Sequence, residues 1–381
     1  MPWEAGCDKI RDMKIALVHD YLTQLGGAEK VLKSLTKLYP EAPIYTLIYD
    51  KKAMGDEFLG RDIHVSFLNS RIFPKRFYRY FSWLMPLATE QFDLSGYDLV
   101  ISSSAGYAKG VIIHPGTLHI CYLHSPVRYA WDPSFSKDGG FSILKRIKIF
   151  SDILIHYIRM WDRQVSSRVD FFITNSNFIA QKIKKYYQRD AKVIYPPVDT
   201  DFFVLDGESD GKEKYFLVVS RFLPYKKIDL IIEAFKKNGL NLKIVGYGPQ
   251  KKYLKKMARS SKNISFEGGV SREKLRTLYQ NARALVFPQV EDFGIVAAES
   301  IACGTPVLAY KKGGALEIVE DSVSGLFFDE QSSESINECI EKFSQTKFDR
   351  EKIRKSALKF SEENFLKNIK NFVDKAYENR N

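Results

Sequence analysis

Two glutamates, Glu291 and Glu299, stand in the segment Phe287-Pro-Gln-Val-Glu-Asp-Phe-Gly-Ile-Val-Ala-Ala-Glu-Ser-Ile-Ala-Cys-Gly-Thr-Pro-Val307. The pattern predicts a strand ending at Phe287, an acidic loop, and a helix opening near Phe293-Gly294 and closing at Gly304. Along a helix, eight positions put the two carboxylates about 80° out of register over a rise of about 12 Å. They therefore cannot converge on one small site as a glycosidase pair would, but they can touch two parts of one long ligand. The opening of the helix offers unpaired N–H groups and a positive dipole end, and Gly294 lets a ligand come close to the Ile295 backbone. Hydroxyls and phosphate oxygens suit such a place. Spacing alone leaves a second account open, an acidic loop followed by a glutamate on a helix face.

Other residues have the same double character. Arg221 and Lys226, in Ser220-Arg-Phe-Leu-Pro-Tyr-Lys-Lys227, are either surface cations or two fixed charges able to hold an anionic group. Gly26-Gly27 follow an apolar run, where they serve as a strand-to-helix turn or as a close approach to a ligand. Gly246 lies in Val245-Gly-Tyr-Gly-Pro249, and Gly268 and Val270 lie in Phe266-Glu-Gly-Gly-Val-Ser271. His124, in Tyr122-Leu-His-Ser-Pro126, ends an apolar run. A lone histidine there is more often structural than functional.

Apolar runs alternating with amphipathic stretches must position these residues. Strands are expected at 14–19, 44–49, 65–68, 99–103, 111–113, 119–123 and 171–174, with a helical stretch at 28–38. Consecutive prolines in Val193-Ile-Tyr-Pro-Pro-Val-Asp199 close this half. The pattern restarts with strands at 216–219, 242–245, 264–266, 285–287, 307–309 and 326–328, and helices at 228–237, 251–259, 272–280 and 294–302. A charged helical stretch follows from about Glu351. This is the α/β class: two doubly wound parallel sheets, with ligands expected at the carboxyl ends of the strands.

Composition narrows the class further. The 381 residues are 45% hydrophobic and 27% charged, with 23 glycines and 14 prolines. That excludes disordered and collagen-like chains. No apolar run reaches membrane-spanning length, and the charged opening Met1 to Asp12 lacks the apolar centre of a signal peptide. A cytoplasmic protein is expected. Cys7, Cys121, Cys303 and Cys339 show no paired spacing, so reduced thiols are expected, with no zinc site. The net charge of +12 favours an anionic partner: nucleic acid, an acidic membrane face or a phosphorylated substrate.

The motifs together resemble the family-4 glycosyltransferases of GT-B fold. Glu291, Phe293-Gly294, Glu299 and Ala302-Cys-Gly-Thr-Pro-Val307 match that family's Glu-x7-Glu block, and Gly313-Gly314 its following turn. The resemblance extends through Asp321–Phe328 and covers roughly residues 13–375. Lys227 departs from the glycine that many members carry at that position. The resemblance implies a domain over 13–197 that binds the acceptor and, across a cleft, a domain over 198–359 that binds a nucleotide-sugar donor, with a terminal helix over 360–381 crossing back to the first domain. It implies a retaining transferase needing no metal or other cofactor. Arg221 and Lys226 would face the diphosphate, Glu299 the ribose, Glu291 with the Phe293, Gly294 and Ile295 backbone the sugar, and His124 the sugar from the other domain. Gly26 and Gly27 would lie beside the phosphates, and Gly246, Gly268 and Val270 would complete the donor site. His124-Ser-Pro-Val-Arg-Tyr-Ala-Trp-Asp132 resembles the mannosyltransferases of bacterial surface-polysaccharide assembly. That subgroup implies GDP-mannose as donor and a lipid-linked glycan as acceptor. The resemblance leaves open a UDP-sugar donor, an epimerase, a glucan synthase, or a non-catalytic nucleotide-sugar-binding module, and it assigns no oligomeric state.

Two basic, aromatic stretches lie in the first half. One contains Arg71, Phe73, Lys75, Arg76, Phe77, Tyr78, Arg79, Tyr80, Phe81 and Trp83; the other runs from Phe141 to Arg168. Such stretches either dock peripherally on an anionic membrane or carry a core face with a solvated rim. No element reads as a nucleic-acid recognition fold, so nucleic acid is not an expected partner.

Overall fold

A computed structural model describes the chain apart from residues 1–12, 71, 74–80, 133–147, 207–214 and 380–381. Cys7, all four cations of the first basic stretch, and the opening of the second lie outside the described residues. The chain divides into two compact units, one of residues 1–197 with 365–381 and one of 198–364.

Unit 1 is built on seven strands: β1 (Ile15–Leu22), β2 (Ile44–Tyr49), β3 (Ile63–Val65), β4 (Leu99–Ser104), β5 (Leu118–Leu123), β6 (Phe171–Thr174) and β7 (Ala191–Val193). Their order is β3-β2-β1-β4-β5-β6-β7, and every pairing is parallel. Parallel strands carry helices on both faces, so they read as continuous apolar runs. β4 and β5 are buried along their whole length. The helix Glu362–Glu378 sends Phe365, Ile369, Val373 and Ala376 into the same core as Leu17, Ile101 and Ile120.

Unit 2 has six strands: β8 (Tyr215–Val219), β9 (Asn241–Val245), β10 (Ile264–Gly268), β11 (Leu285–Phe287), β12 (Val307–Tyr310) and β13 (Gly325–Phe328). The order β10-β9-β8-β11-β12-β13 is that of the dinucleotide-binding doubly wound sheet. Its helix Ile228–Asn238 shows the expected period. Ile228, Ile231, Ile232 and Phe235 are buried, and each stabilises by about 1.5–3 kcal/mol. Gly239, at φ 69°, ends that helix.

Two expected strands are corrected. β3 stops at Val65, because Ser66 turns the chain into a 3-10 turn over Phe67–Asn69, its Oγ accepting from the Leu68 N–H. Residues 111–113 form no strand. β4 pairs directly with β5, so the sheet has no slot for another, and Val111 follows the 3-10 turn Ala108–Gly110. The short β7 and the helices Asn177–Tyr187 and Ser333–Gln345 lay outside the expectations. Serine side chains cap both helices, Ser176 on the Ile179 N–H and Ser332 on the Ser335 N–H. Cys121, Cys303 and Cys339 are buried free thiols.

Candidate functional site

In a doubly wound sheet the crevice for a ligand opens where the strand order reverses. In unit 2 that point lies between β8 and β11. The loop after β8 carries Arg221 and the 3-10 turn Pro224–Lys226, and the loop after β11 carries Glu291. These loops meet: the Lys226 Nζ forms an ion pair with Glu291 Oε1, with the two side chains 13% and 14% exposed. Arg221 is exposed. It has no ion-pair partner among the described residues, and so remains a cation that an incoming anion can use.

Neighbouring turns hold this arrangement in place. The Gly314 N–H donates to the Glu291 carbonyl at 2.9 Å. A Cβ on Gly314 would lie 2.2 Å from the Phe293 oxygen, so only glycine lets this turn brace the acidic loop. The helix begins at Ile295 rather than at Phe293. Gly294 caps it at φ 114°, a conformation that residues with a Cβ rarely adopt. Phe293 is buried, its ring 5.4 Å from that of Phe360, so only its backbone can serve a ligand. Glu299 is 4% exposed and accepts from the buried Tyr279 hydroxyl at 3.2 Å.

Gly246 follows β9, Gly268 ends β10, and Val270 follows two residues later. The Gly246 N–H donates to the Gly268 carbonyl at 2.7 Å, and the Ser220 and Phe222 N–H groups donate to the Val245 and Tyr247 carbonyls. The loop that carries Arg221 is thus tied to the glycine turn beside it. Arg221, Gly246, Gly268, Glu291 and Gly294 all follow or end the carboxyl edges of strands in one sheet.

Unit 1 has its own reversal point, between β1 and β4. His19 and Asp20 lie in the carboxyl-terminal half of β1, Ser103 is the last residue but one of β4, and His124 follows β5. His124 Nε2 is 2.9 Å from the Ser103 Oγ, and His19 Nδ1 is 3.1 Å from that same oxygen. The Asn175 amide donates to the His124 carbonyl. Burial, then the nearby His19 and Arg128, lower the His124 pKa to about 3, so its ring is neutral. Gly26 caps the helix Gly27–Leu38, and its N–H donates to Glu29 Oε2 at 2.8 Å. Glu29 Oε1 lies 3.9 Å from His19 Nε2. Asp20 accepts from the Ala105, Tyr107 and Ala108 N–H groups and so shapes the loop after β4.

Sequence reasoning passed over His19, Asp20 and Ser103. A signal was present, since polar His19-Asp20 and Ser102-Ser103-Ser104 interrupt otherwise apolar strands. Among the described residues, no group of three or more His, Cys, Asp or Glu side chains could hold a metal ion. No described helix is long and apolar enough to cross a membrane.

Two family profiles match the chain, "Glycosyltransferase Family 4" over residues 25–202 and "Glycosyl transferases group 1" over 200–360. The alpha-1,3/1,6-mannosyltransferase ALG2 of Candida glabrata is 27% identical, covering 81% of this chain and 78% of its own length. A GDP-mannose-dependent alpha-(1-6)-phosphatidylinositol monomannoside mannosyltransferase of Mycobacterium tuberculosis is 28% identical over 47% of this chain and 53% of its own. Several other curated relatives are matched over 52%, 34% and 44% of their lengths, so the chain spans about half or less of them. Among solved structures, Anabaena Alr3699/HepE in complex with UDP superposes with a TM-score of 0.70 at 19% identity, over 95% of this chain and 100% of that one.

Proposed function

We propose, since the chain belongs to the family-4 glycosyltransferases of GT-B fold, that it transfers mannose from GDP-mannose to a hydroxyl of a lipid-linked glycan with retention of anomeric configuration. The observation that carries the reading is the meeting of Lys226 and Glu291 at the reversal point of the unit 2 sheet. A cation and a carboxylate stand there beside the opening of the helix Ile295–Ala302.

In this reading the bond from the sugar's anomeric carbon to the diphosphate breaks as the bond to the acceptor oxygen forms. The leaving phosphate oxygen takes the acceptor's proton on the same face. Arg221 and Lys226 stabilise the charge that grows on the diphosphate, which requires no metal. Glu291 holds the sugar hydroxyls with the Phe293, Gly294 and Ile295 backbone, and Glu299 accepts from the ribose. Gly246, Gly268 and Val270 frame the nucleoside, while Gly26 and Gly27 keep the backbone open beside the phosphates. The role of His124 at the sugar follows from its motif. The mannosyltransferase relatives support mannose. The UDP complex of Anabaena Alr3699/HepE supports a second reading, a UDP-sugar donor.

A lipid-linked acceptor implies work at the cytoplasmic face of a membrane. Ile153, Tyr157 and Met160 are exposed at helical spacing on Lys148–Val165, and Trp83 and Leu87 are exposed as well. Such a face suits an acidic bilayer. The test incubates the protein with radiolabelled GDP-mannose, UDP-glucose or UDP-N-acetylglucosamine and a lipid extract, with and without EDTA. Label from GDP-mannose entering lipid despite EDTA supports the proposal. Label from a UDP-sugar alone moves it to the second reading, loss with EDTA removes the metal-free mechanism, and donor binding without turnover leaves only a binding module. Flotation with phosphatidylglycerol vesicles at low salt tests the membrane face, and protein left at the bottom of the gradient would remove it.

A further inference from the structure

We propose that Glu29, His19 and Ser103 form a relay that positions His124 by fixing its tautomer, leaving His124 Nδ1 as a bare hydrogen-bond acceptor. The relay rests on the reading of His124 as a substrate contact and adds to it three residues that the reading does not use.

Three of the four contacts are hydrogen bonds, and the fourth, from Glu29 to His19, is a longer charge contact. The Gly26 N–H holds Glu29 Oε2 at 2.8 Å, which directs Oε1 towards His19 Nε2 at 3.9 Å. A carboxylate facing an imidazole nitrogen favours a proton on that nitrogen and repels a lone pair, so Nε2 of His19 carries the hydrogen. In a neutral ring with its hydrogen on Nε2, His19 Nδ1 is an acceptor. Ser103 has a single hydroxyl proton to give, and that proton goes to His19 Nδ1 at 3.1 Å. The Ser103 oxygen can then only accept from His124, at 2.9 Å, which places a hydrogen on His124 Nε2 and leaves Nδ1 without one.

Burial leaves the network few alternatives. Ser103 is 0% exposed and His19 is 2% exposed. Water therefore does not compete for these bonds, and a mismatched donor pair would be costly. Four chain segments contribute one residue each, so the tautomer of His124 is written partly at the first turn of the helix Gly27–Leu38. Ser103, His19 and Glu29 are positioning residues, acting on substrate only through His124.

Histidine-labelled full-length protein, observed by tautomer-selective 15N NMR at pH 8, tests the relay, with the His124 signals identified by their loss in His124→Gln. The wild type is expected to show a protonated Nε2 and a bare Nδ1 at His124. Ser103→Ala should abolish that preference. Glu29→Gln should invert it: the amide oxygen stays on the Gly26 N–H, the amide NH2 turns to His19 Nε2, and the hydrogen pattern along the chain reverses. In both variants kcat with GDP-mannose should fall roughly tenfold, the size of effect seen when a supporting partner of a functional side chain is lost, while the donor KM stays within about twofold. Melting curves separate this from unfolding, and the near-isosteric Glu29→Gln remains informative if Ser103→Ala is unstable. The same His124 tautomer in wild type and both variants would overturn the relay whatever the activities. Full transfer activity in His124→Gln would instead overturn the reading on which it rests.

Discussion

Lys226 and Glu291 are largely withdrawn from water, so each depends on the other for compensation. Removing one partner of such a pair leaves a poorly solvated charge. Lys226→Ala should therefore destabilise unit 2, and it should also lower kcat by about 10²–10³, the size of effect expected when one preorganised stabiliser of developing charge is lost. Steady-state kinetics with labelled donor, beside a denaturant melt, separates the two effects. Unchanged kcat in a folded variant would remove Lys226 from the mechanism. Buried histidines set a second expectation. Burial lowers the His119 pKa to about 4 and the His124 pKa to about 3. Unfolded histidine binds its proton near pH 6.5, so below that pH the unfolded chain holds more protons than the folded one. Stability is full above about pH 6.5 and falls as the pH drops towards 4, by on the order of 3 kcal/mol for each ring. Thermal melts from pH 7.5 to 4.5 should show this slope, and His119→Gln should flatten it.

The elements that carry these residues owe their precision to their ends. Gly314 braces the Glu291 loop by direct backbone contact with Phe293. Gly314→Ala must push that loop outward, and the cost is expected to exceed about 1–3 kcal/mol, the usual range for overpacking. Donor affinity measured by calorimetry should fall with it, whereas an alanine variant of wild-type affinity and stability would mean that the turn is not a brace. The same attention to ends explains which elements were legible. The helix Ile228–Asn238 was readable because its period and its terminal glycine agree. The turn at Ser66 and the loop at Val111 were misread because their apolar residues mimic short strands. A serine cap decides the first. Direct pairing of β4 with β5 decides the second, and no local pattern reports it.

Each unit closes its core with residues distant in sequence, and unit 1 uses the end of the chain to do so. Phe365, Ile369, Val373 and Ala376 share a core with Leu17, Ile101 and Ile120. Each larger apolar side chain among them stabilises by about 1.5–3 kcal/mol, which together is comparable to the net stability of a domain, about 5–15 kcal/mol. Truncation after Asn364 should therefore unfold unit 1 and spare unit 2. Amide exchange read by mass spectrometry should show lost protection in β1, β4 and β5 and retained protection in β8, β11 and the helix Ile228–Asn238. Equal protection in both units would refute this dependence.

Local chemistry was enough to find two α/β halves, the helix that opens after Glu291, the glycine turns and the strand-end histidine. Apolar period, caps and glycine conformations are properties of short stretches and need no partner. The joining of Lys226 to Glu291 across 65 residues, and of two imidazoles through Ser103, depended on which strand lies beside which. Parallel strands are joined by crossovers of a dozen residues or more, so neighbours at a sheet edge leave no trace in spacing. Their proximity came from folding the strands into the orders β3-β2-β1-β4-β5-β6-β7 and β10-β9-β8-β11-β12-β13, which set the loops on either side of each reversal point against one another.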